Sequence, residues 1–205
     1  MAVFLLDGPS ASGKTTLARA LLEKFSGRLQ FCRRLCTRCP RPGELDSPLR
    51  DYDFVTPEEF AAQKNAGGLA VWREFDFGMS YGLPRLSVER ALQQGSVLAL
   101  VDLGTAPQAR QHWPYCIAIL LCAPLPELER RLRERGGHSL EQIAERLSNA
   151  AAVLPSVVDY DYVVVNRPPH WEHALEQLDW IVSRHLGTVR PPLPADGRFA
   201  DAKPE

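Results

Sequence analysis

Between positions 8 and 15 the chain reads Gly8-Pro9-Ser10-Ala11-Ser12-Gly13-Lys14-Thr15, two glycines followed directly by a lysine and a hydroxyl residue. A polyphosphate can be cradled only where several backbone N–H groups point inward, and Gly8 and Gly13 permit the backbone angles and close approach this requires. A helix starting near Gly13 adds its positive N-terminal end to the same spot. Lys14 is long enough to reach the β and γ phosphates, and the Thr15 hydroxyl is placed to ligate Mg²⁺. The plainer reading is a Gly/Ser turn before an ordinary helix. The apolar run Val3 to Leu6 before the motif and the helical pattern Leu17 to Leu22 after it weigh against that reading, so the stretch Gly8 to Thr16 is expected to bind a nucleoside triphosphate.

Arginine supplies most of the other charge that could meet phosphate. Of 24 basic residues only Lys14, Lys24, Lys64 and Lys203 are lysines, and Arg28, Arg33, Arg34, Arg38, Arg41 and Arg50 cluster early in the chain. Arginine is the better bidentate partner for phosphate, although genomic base composition also raises its frequency. A second run, Arg130, Arg131, Arg133 and Arg135, shares its helix with Glu127, Glu129 and Glu134, which makes a solvated face of i,i+4 pairs the alternative there. Asp102 follows an apolar strand, at the end where ligands sit in an open α/β sheet, but a strand-end Asp also forms turns. Asp7, at the entrance of the glycine loop, has two open roles: a Mg²⁺-bound water or a turn N–H.

Five cysteines are an odd number and point to reduced thiols. Cys32, Cys36 and Cys39 have a spacing some iron–sulfur proteins use. Their place inside the arginine-rich segment of a phosphate-loop chain argues for plain buried or half-buried thiols, and no fourth ligand at the usual spacing suggests zinc. The histidines show no metal spacing. A net charge of -1 argues against bulk nucleic-acid binding, and no apolar run is long enough to span a membrane. With no basic region ahead of the first strand, a cytoplasmic location is expected.

The elements that must position these residues alternate between strand and helix. Strands are expected over Val3–Asp7, Leu29–Leu35, Leu69–Phe75, Val97–Val101, Cys116–Cys122 and Tyr162–Val165. Helices are expected over Gly13–Phe25, Pro57–Asn65 with a capping box at Thr56 and Glu59, Pro84–Gln94, Pro107–His112, Leu125–Arg135, Leu140–Val153 and Trp171–Leu186. Asp76 to Pro84 reads as a loop whose aromatic residues face a ligand. This pattern predicts a three-layer α/β domain over residues 1–187 with a mostly parallel sheet. Its core comprises 1–35 and 84–187, a small inserted lobe covers about 36–83 and a helical lid about 135–150. Residues 188–205, rich in Pro, Ala, Asp and Gly, are expected to be disordered. The helix Trp171–Leu186 is either a homodimer surface or internal packing.

Several blocks, in order, resemble the guanylate kinase superfamily along nearly the whole length. They are Gly8-Pro9-Ser10-x-x-Gly13-Lys14, Thr37-Arg38-x-Pro40-Arg41-x-Gly43-Glu44, Asp51-Tyr52-x-Phe54-Val55 with Glu59-Phe60, Tyr81-Gly82, Glu129-Arg130-Arg131-Leu132-x-x-Arg135-Gly136, Arg146-Leu147 and Asp161 to Asn166. The resemblance implies a P-loop kinase that uses ATP and Mg²⁺, with the acceptor held by the inserted lobe. It assigns Gly8, Pro9, Ser10, Ala11, Ser12, Gly13, Lys14, Thr15 and Thr16 to ATP, Asn166 to the adenine end and Thr15 to the metal. It gives catalytic roles to Lys14, Arg131, Arg135 and Arg146, and the acceptor to Arg34, Thr37, Arg38, Arg41, Tyr52, Tyr81 and Asp102. Phosphoryl transfer between phosphates mainly needs positioning and charge neutralisation, which suits such a set.

Guanylate kinases read guanine with a small hydroxyl residue where this chain has Arg34, a Glu where it has Val71, a Ser where it has Leu83, and paired acids where it has Leu100 and Asp102. The pattern Arg34-x-x-Thr37-Arg38, Tyr81-Gly82-Leu83-Pro84 and Pro107-Gln108-Ala109-Arg110 looks more like ribose 1,5-bisphosphate phosphokinase of phosphonate catabolism, which makes 5-phosphoribosyl 1-diphosphate. On that resemblance the expected acceptor is a small phosphorylated molecule, ribose 1,5-bisphosphate, with Arg34 gripping its second phosphate. The alternatives are a nucleoside monophosphate kinase acting on GMP and a non-catalytic module that binds protein partners.

Overall fold

In the computed structural model of the chain the described residues are 1–186, apart from Pro42, Pro48, Asp76, Phe77, His138 and Val153. The expected disorder of 188–205 lies outside them. The elements in order are β1 (Val3–Asp7), α1 (Lys14–Lys24), β2 (Leu29–Cys32), β3 (Arg34–Cys36), β4 (Tyr52–Phe54), α2 (Pro57–Asn65), β5 (Leu69–Glu74), β6 (Ser80–Pro84), α3 (Arg85–Leu92), β7 (Ser96–Leu100), α4 (Ala106–His112), β8 (Ile117–Cys122), α5 (Leu125–Arg135), α6 (Leu140–Ala152), β9 (Tyr162–Val165) and α7 (Trp171–Leu186).

Five strands form a parallel sheet in the order β2-β7-β1-β8-β9. A strand covered on both faces needs apolar side chains on each, and β1 shows why its run has no alternation. Phe4 and Leu6 pack toward Leu17 and Leu21 of α1 and Leu178 and Ile181 of α7. Val3 and Leu5 belong to the opposite layer, with Val88 of α3 and Ala109 of α4. The result is the expected α/β architecture of helix, parallel sheet and helix.

A second sheet, β4-β3-β6-β5, forms the inserted lobe, with β3 parallel to β4 and antiparallel to β6. Here the observed elements differ from the sequence reading in two places. The expected strand Leu29–Leu35 breaks after Cys32 into β2 and β3, so the lobe starts at Arg34 rather than Cys36, because the chain leaves one sheet and enters the other. The expected loop before Pro84 contains β6, whose Ser80 N–H donates to the Thr37 hydroxyl at 2.8 Å and whose Tyr81 and Gly82 pair with Cys36 and Leu35. The capping box at Thr56 and Glu59 forms as expected and fixes the start of α2. Helices α5 and α6 pack through Leu128, Leu132 and Ile143, joined across Gly136 and Gly137, both at positive φ.

Candidate phosphoryl-transfer site

The glycine loop leaves β1 and enters α1 with Gly8 at φ 151° and Gly13 at φ 102°, angles L side chains rarely adopt. A Cβ on Gly8 would strike the Leu121 carbonyl, and one on Gly13 the Asn166 amide. The loop is thus pressed against β8 and the chain after β9, and both positions require glycine. Asp7 braces its entrance: buried at the end of β1, its carboxylate accepts from Gly8 N–H at 2.6 Å, Tyr160 O–H at 2.6 Å and Thr105 N–H at 3.3 Å. Of its two open roles the turn N–H is the one observed. Burial pushes the Asp7 carboxyl up to about 6, against the Tyr160 hydrogen bond and the Lys14 charge. Burial likewise draws the Lys14 ammonium down to about 8, with Asp102 pulling the other way. Lys14 donates to the Gly8 and Pro9 carbonyls, the Pro9 contact at 3.0 Å. The Thr15 hydroxyl donates to Asp51 at 2.6 Å.

One cleft collects most of the expected residues. It is lined by the loop from Gly8 to Thr16, by Arg34, Arg38, Arg41, Tyr52 and Tyr81 from the lobe, by Asp102 after β7, and by Arg135 and Arg146 from the α5 and α6 pair. Arg73, Phe75, Leu103 and Asn149 also line it, and the sequence reading missed them. Arg73 lies 4.9 Å over the Phe75 ring and donates to the Leu103 carbonyl, while Arg146 lies 6.0 Å from the same ring. Arg73 stands at the end of β5 with Phe75 just after it, Leu103 follows β7 and Asn149 lies on α6, so elements far apart in the chain complete the cleft. Arg38 makes a two-pronged contact with Glu44, 2.7 Å on one prong, and lies 5.0 Å over the Tyr52 ring. Thr37 is not among the cleft-lining residues, since its hydroxyl holds Ser80 of β6 in register.

Arg34 has a different role from the one expected. It is 4% exposed, its Nη1 donates to Asp102 at 3.0 Å, its Nη2 donates to the Tyr52 hydroxyl at 2.6 Å, and its Nε has no partner. The guanidinium lies 4.6 Å over the Tyr52 ring and 6.0 Å from the Tyr81 ring. Its charge is therefore already matched by Asp102 and is not a spare cation for a second phosphate. The slot it shares with Val71, Leu83, Asp102 and Thr105 retains about 10 Å³, barely room for one water. Val71 and Leu83 have joined the hydrophobic core beside α3.

On the other side of the loop, Arg131, Arg135, Asn166 and Trp171 line a second cavity with Ala11, Gly13, Thr16 and Leu17. Arg131 is held by Glu127 and by the Ala11 carbonyl at 3.2 Å. Asn166 is buried; its amide donates to the Ser12 carbonyl at 2.8 Å and its Oδ1 has no partner, so one end braces the loop and the other remains an acceptor. Arg130 and Arg133 follow the alternative reading of the run, paired along the helix with Glu127, Glu134 and Glu129. Among the cysteines, Cys32 and Cys36 are buried but Cys39 is exposed, and no group of three or more metal-ligating side chains occurs among the described residues. No described helix is long and apolar enough to cross a membrane.

A glycine loop between a parallel strand and a helix, facing converging arginines from an inserted lobe and a helical pair, defines a P-loop phosphotransferase. The guanylate kinase family model matches residues 1–185. The chain is 39% identical over 196 residues to a guanylate kinase of Synechococcus sp. (strain JA-3-3Ab), covering 95% of this chain and 84% of that one. It is also 39% identical over 166 residues to a guanylate kinase of Desulfitobacterium hafniense (strain Y51), covering 80% and 81%. The crystal structure of guanylate kinase from Anaplasma phagocytophilum matches with a TM-score of 0.69 at 27% identity, covering 91% of this chain and 87% of that one. The chain belongs to the guanylate kinase family, and it is an ATP- and Mg²⁺-dependent kinase whose acceptor is a phosphate group. The expected specificity for ribose 1,5-bisphosphate is overturned: relatives at this identity over most of the chain are named guanylate kinases. The pairing of Arg34 with Asp102 gives the physical reason that its substitution misled the sequence reading.

Proposed function

We propose that the chain transfers the γ-phosphoryl group of ATP to GMP, giving GDP and ADP. The observation that carries this is the 39% identity to a guanylate kinase over 95% of the chain. The chemistry brings the negative charges of two phosphates together and needs no strong base, so the protein must position and neutralise them. In this reading the loop amides from Gly8 to Thr15 and the Lys14 ammonium hold the donor phosphates. Arg38, Arg41 and Tyr52 hold the acceptor phosphate, and Arg135 and Arg146 meet the group in transit. Arg131, held by Glu127, steadies the loop from the second cavity through the Ala11 carbonyl, and the Oδ1 of Asn166 serves the adenine end of that cavity. The hard oxygen of Thr15 fits Mg²⁺, which would neutralise the β and γ phosphates when bound with the nucleotide.

For the base, Asp102 supplies the carboxylate that accepts from the guanine ring N–H groups, with Tyr81 as a wall. In that role the base competes with Arg34, which already occupies Asp102 Oδ2. ADP release with Mg²⁺·ATP and GMP, AMP, CMP or UMP tests the proposal. Turnover with GMP exceeding that with the other acceptors by orders of magnitude is expected. Turnover with another acceptor but none with GMP overturns it.

A further inference from the structure

We propose that Asp51, which precedes the acceptor-binding Tyr52, is a positioning residue for the metal that accompanies the nucleotide. Its side chain reaches across from the lobe to α1, where Oδ2 accepts the Thr15 hydroxyl at 2.6 Å. Its backbone carbonyl accepts the Arg34 N–H at 3.0 Å, so the residue is anchored on the lobe side as well. It is 8% exposed, and its second oxygen, Oδ1, is buried without a hydrogen-bond partner.

Two consequences follow for a cation at Thr15. A hydroxyl that donates its proton to a carboxylate directs its lone pairs away from that carboxylate, which sets the oxygen as a ligand rather than a donor. A buried carboxylate oxygen with no hydrogen-bond donor is costly even with the Arg34 charge nearby, and a water on a hard cation such as Mg²⁺, which keeps several waters, is the kind of donor that satisfies it. Groups that orient a metal ligand in this way commonly change metal affinity 10–100-fold when removed. The proposal rests on the reading of the loop as the Mg²⁺·nucleotide site and is independent of the acceptor, so failure with GMP would not affect its test.

The test is ADP binding by calorimetry with and without Mg²⁺, on the full chain with no acceptor. In the wild type Mg²⁺ should raise ADP affinity. Asp51→Asn should lose that enhancement by at least about tenfold while metal-free ADP affinity stays within about twofold, and Asp51→Glu should recover part of it. An undiminished enhancement in Asp51→Asn overturns the proposal. So does an equal fall in metal-free and metal-bound affinity, which marks a merely structural contact. A measurement on the wild type keeps the question decidable should the variants not fold. With ¹³C-carboxyl aspartate, Mn²⁺·ADP should broaden the Asp51 signal strongly while ADP alone leaves it sharp, and an unbroadened signal overturns the proposal.

Discussion

Replacing Arg34 by Ser is expected to tighten GMP binding while making the protein less stable. In the folded chain the guanidinium fills the slot beside Asp102 with hydrogen bonds of 3.0 Å to Asp102 and 2.6 Å to Tyr52. Removing one member of a buried ion pair costs about 3–5 kcal/mol. Asp102 is 22% exposed in its side chain and regains water once the slot opens, and the unpartnered Nε disappears, so a loss of about 1–3 kcal/mol is expected here. In the proposed reading GMP competes with Arg34 for Asp102, and a hydrogen bond to a charged group is worth about 1.5–3 kcal/mol. The base then recovers only the share that Asp102 provides. Relief of about 1.4 kcal/mol corresponds to a tenfold lower KM for GMP. The assay is initial-rate ADP release against GMP concentration at saturating Mg²⁺·ATP, with urea denaturation for stability. A KM for GMP that is unchanged or raised in Arg34→Ser refutes the reasoning, because Arg34 would then touch the acceptor directly rather than occupy its place.

Three further outcomes are expected. Lys14→Ala should lower kcat/KM by about 10²–10³ or more, as for other preorganised charges at a transition state, and a fall under tenfold would remove Lys14 from the machinery. Gly13→Ala should weaken ATP binding more than tenfold, since alanine at φ 102° is strained and its Cβ meets the Asn166 amide; isothermal titration with wild-type affinity would contradict this. Asp7, held at about 6 in the fold against 3.8 in the open chain, keeps a proton that the unfolded state releases. Stability should therefore fall as pH rises from about 4 to 6, by on the order of 3 kcal/mol, and Asp7→Asn should flatten that slope. Urea midpoints across pH 4–7 that track each other in the two proteins would show that Asp7 is not the cause.

Local chemistry was legible in the sequence. The glycine loop, the capping box at Thr56 and the unalternating runs of β1, β7 and β8 follow from backbone angles, hydrogen-bond valence and burial on two faces, all of which act over a few residues. Most of the arginines and both tyrosines that line the cleft, Arg73 excepted, were named through the resemblance of short sequence blocks to the guanylate kinase superfamily. Partnership was not legible. Whether Arg34 would meet a ligand or an internal carboxylate depends on Asp102, 68 positions away, which β7 delivers to it. Position 51 carried no signal beyond its block, because the link to Thr15 forms only when the lobe folds back on α1. The division of the expected strand Leu29–Leu35 between two sheets likewise depends on which neighbours each half finds. Sequence determined which residues could handle phosphate; tertiary structure decided which of their charges were already matched, because a charge is neutralised by whatever the fold brings within hydrogen-bond distance.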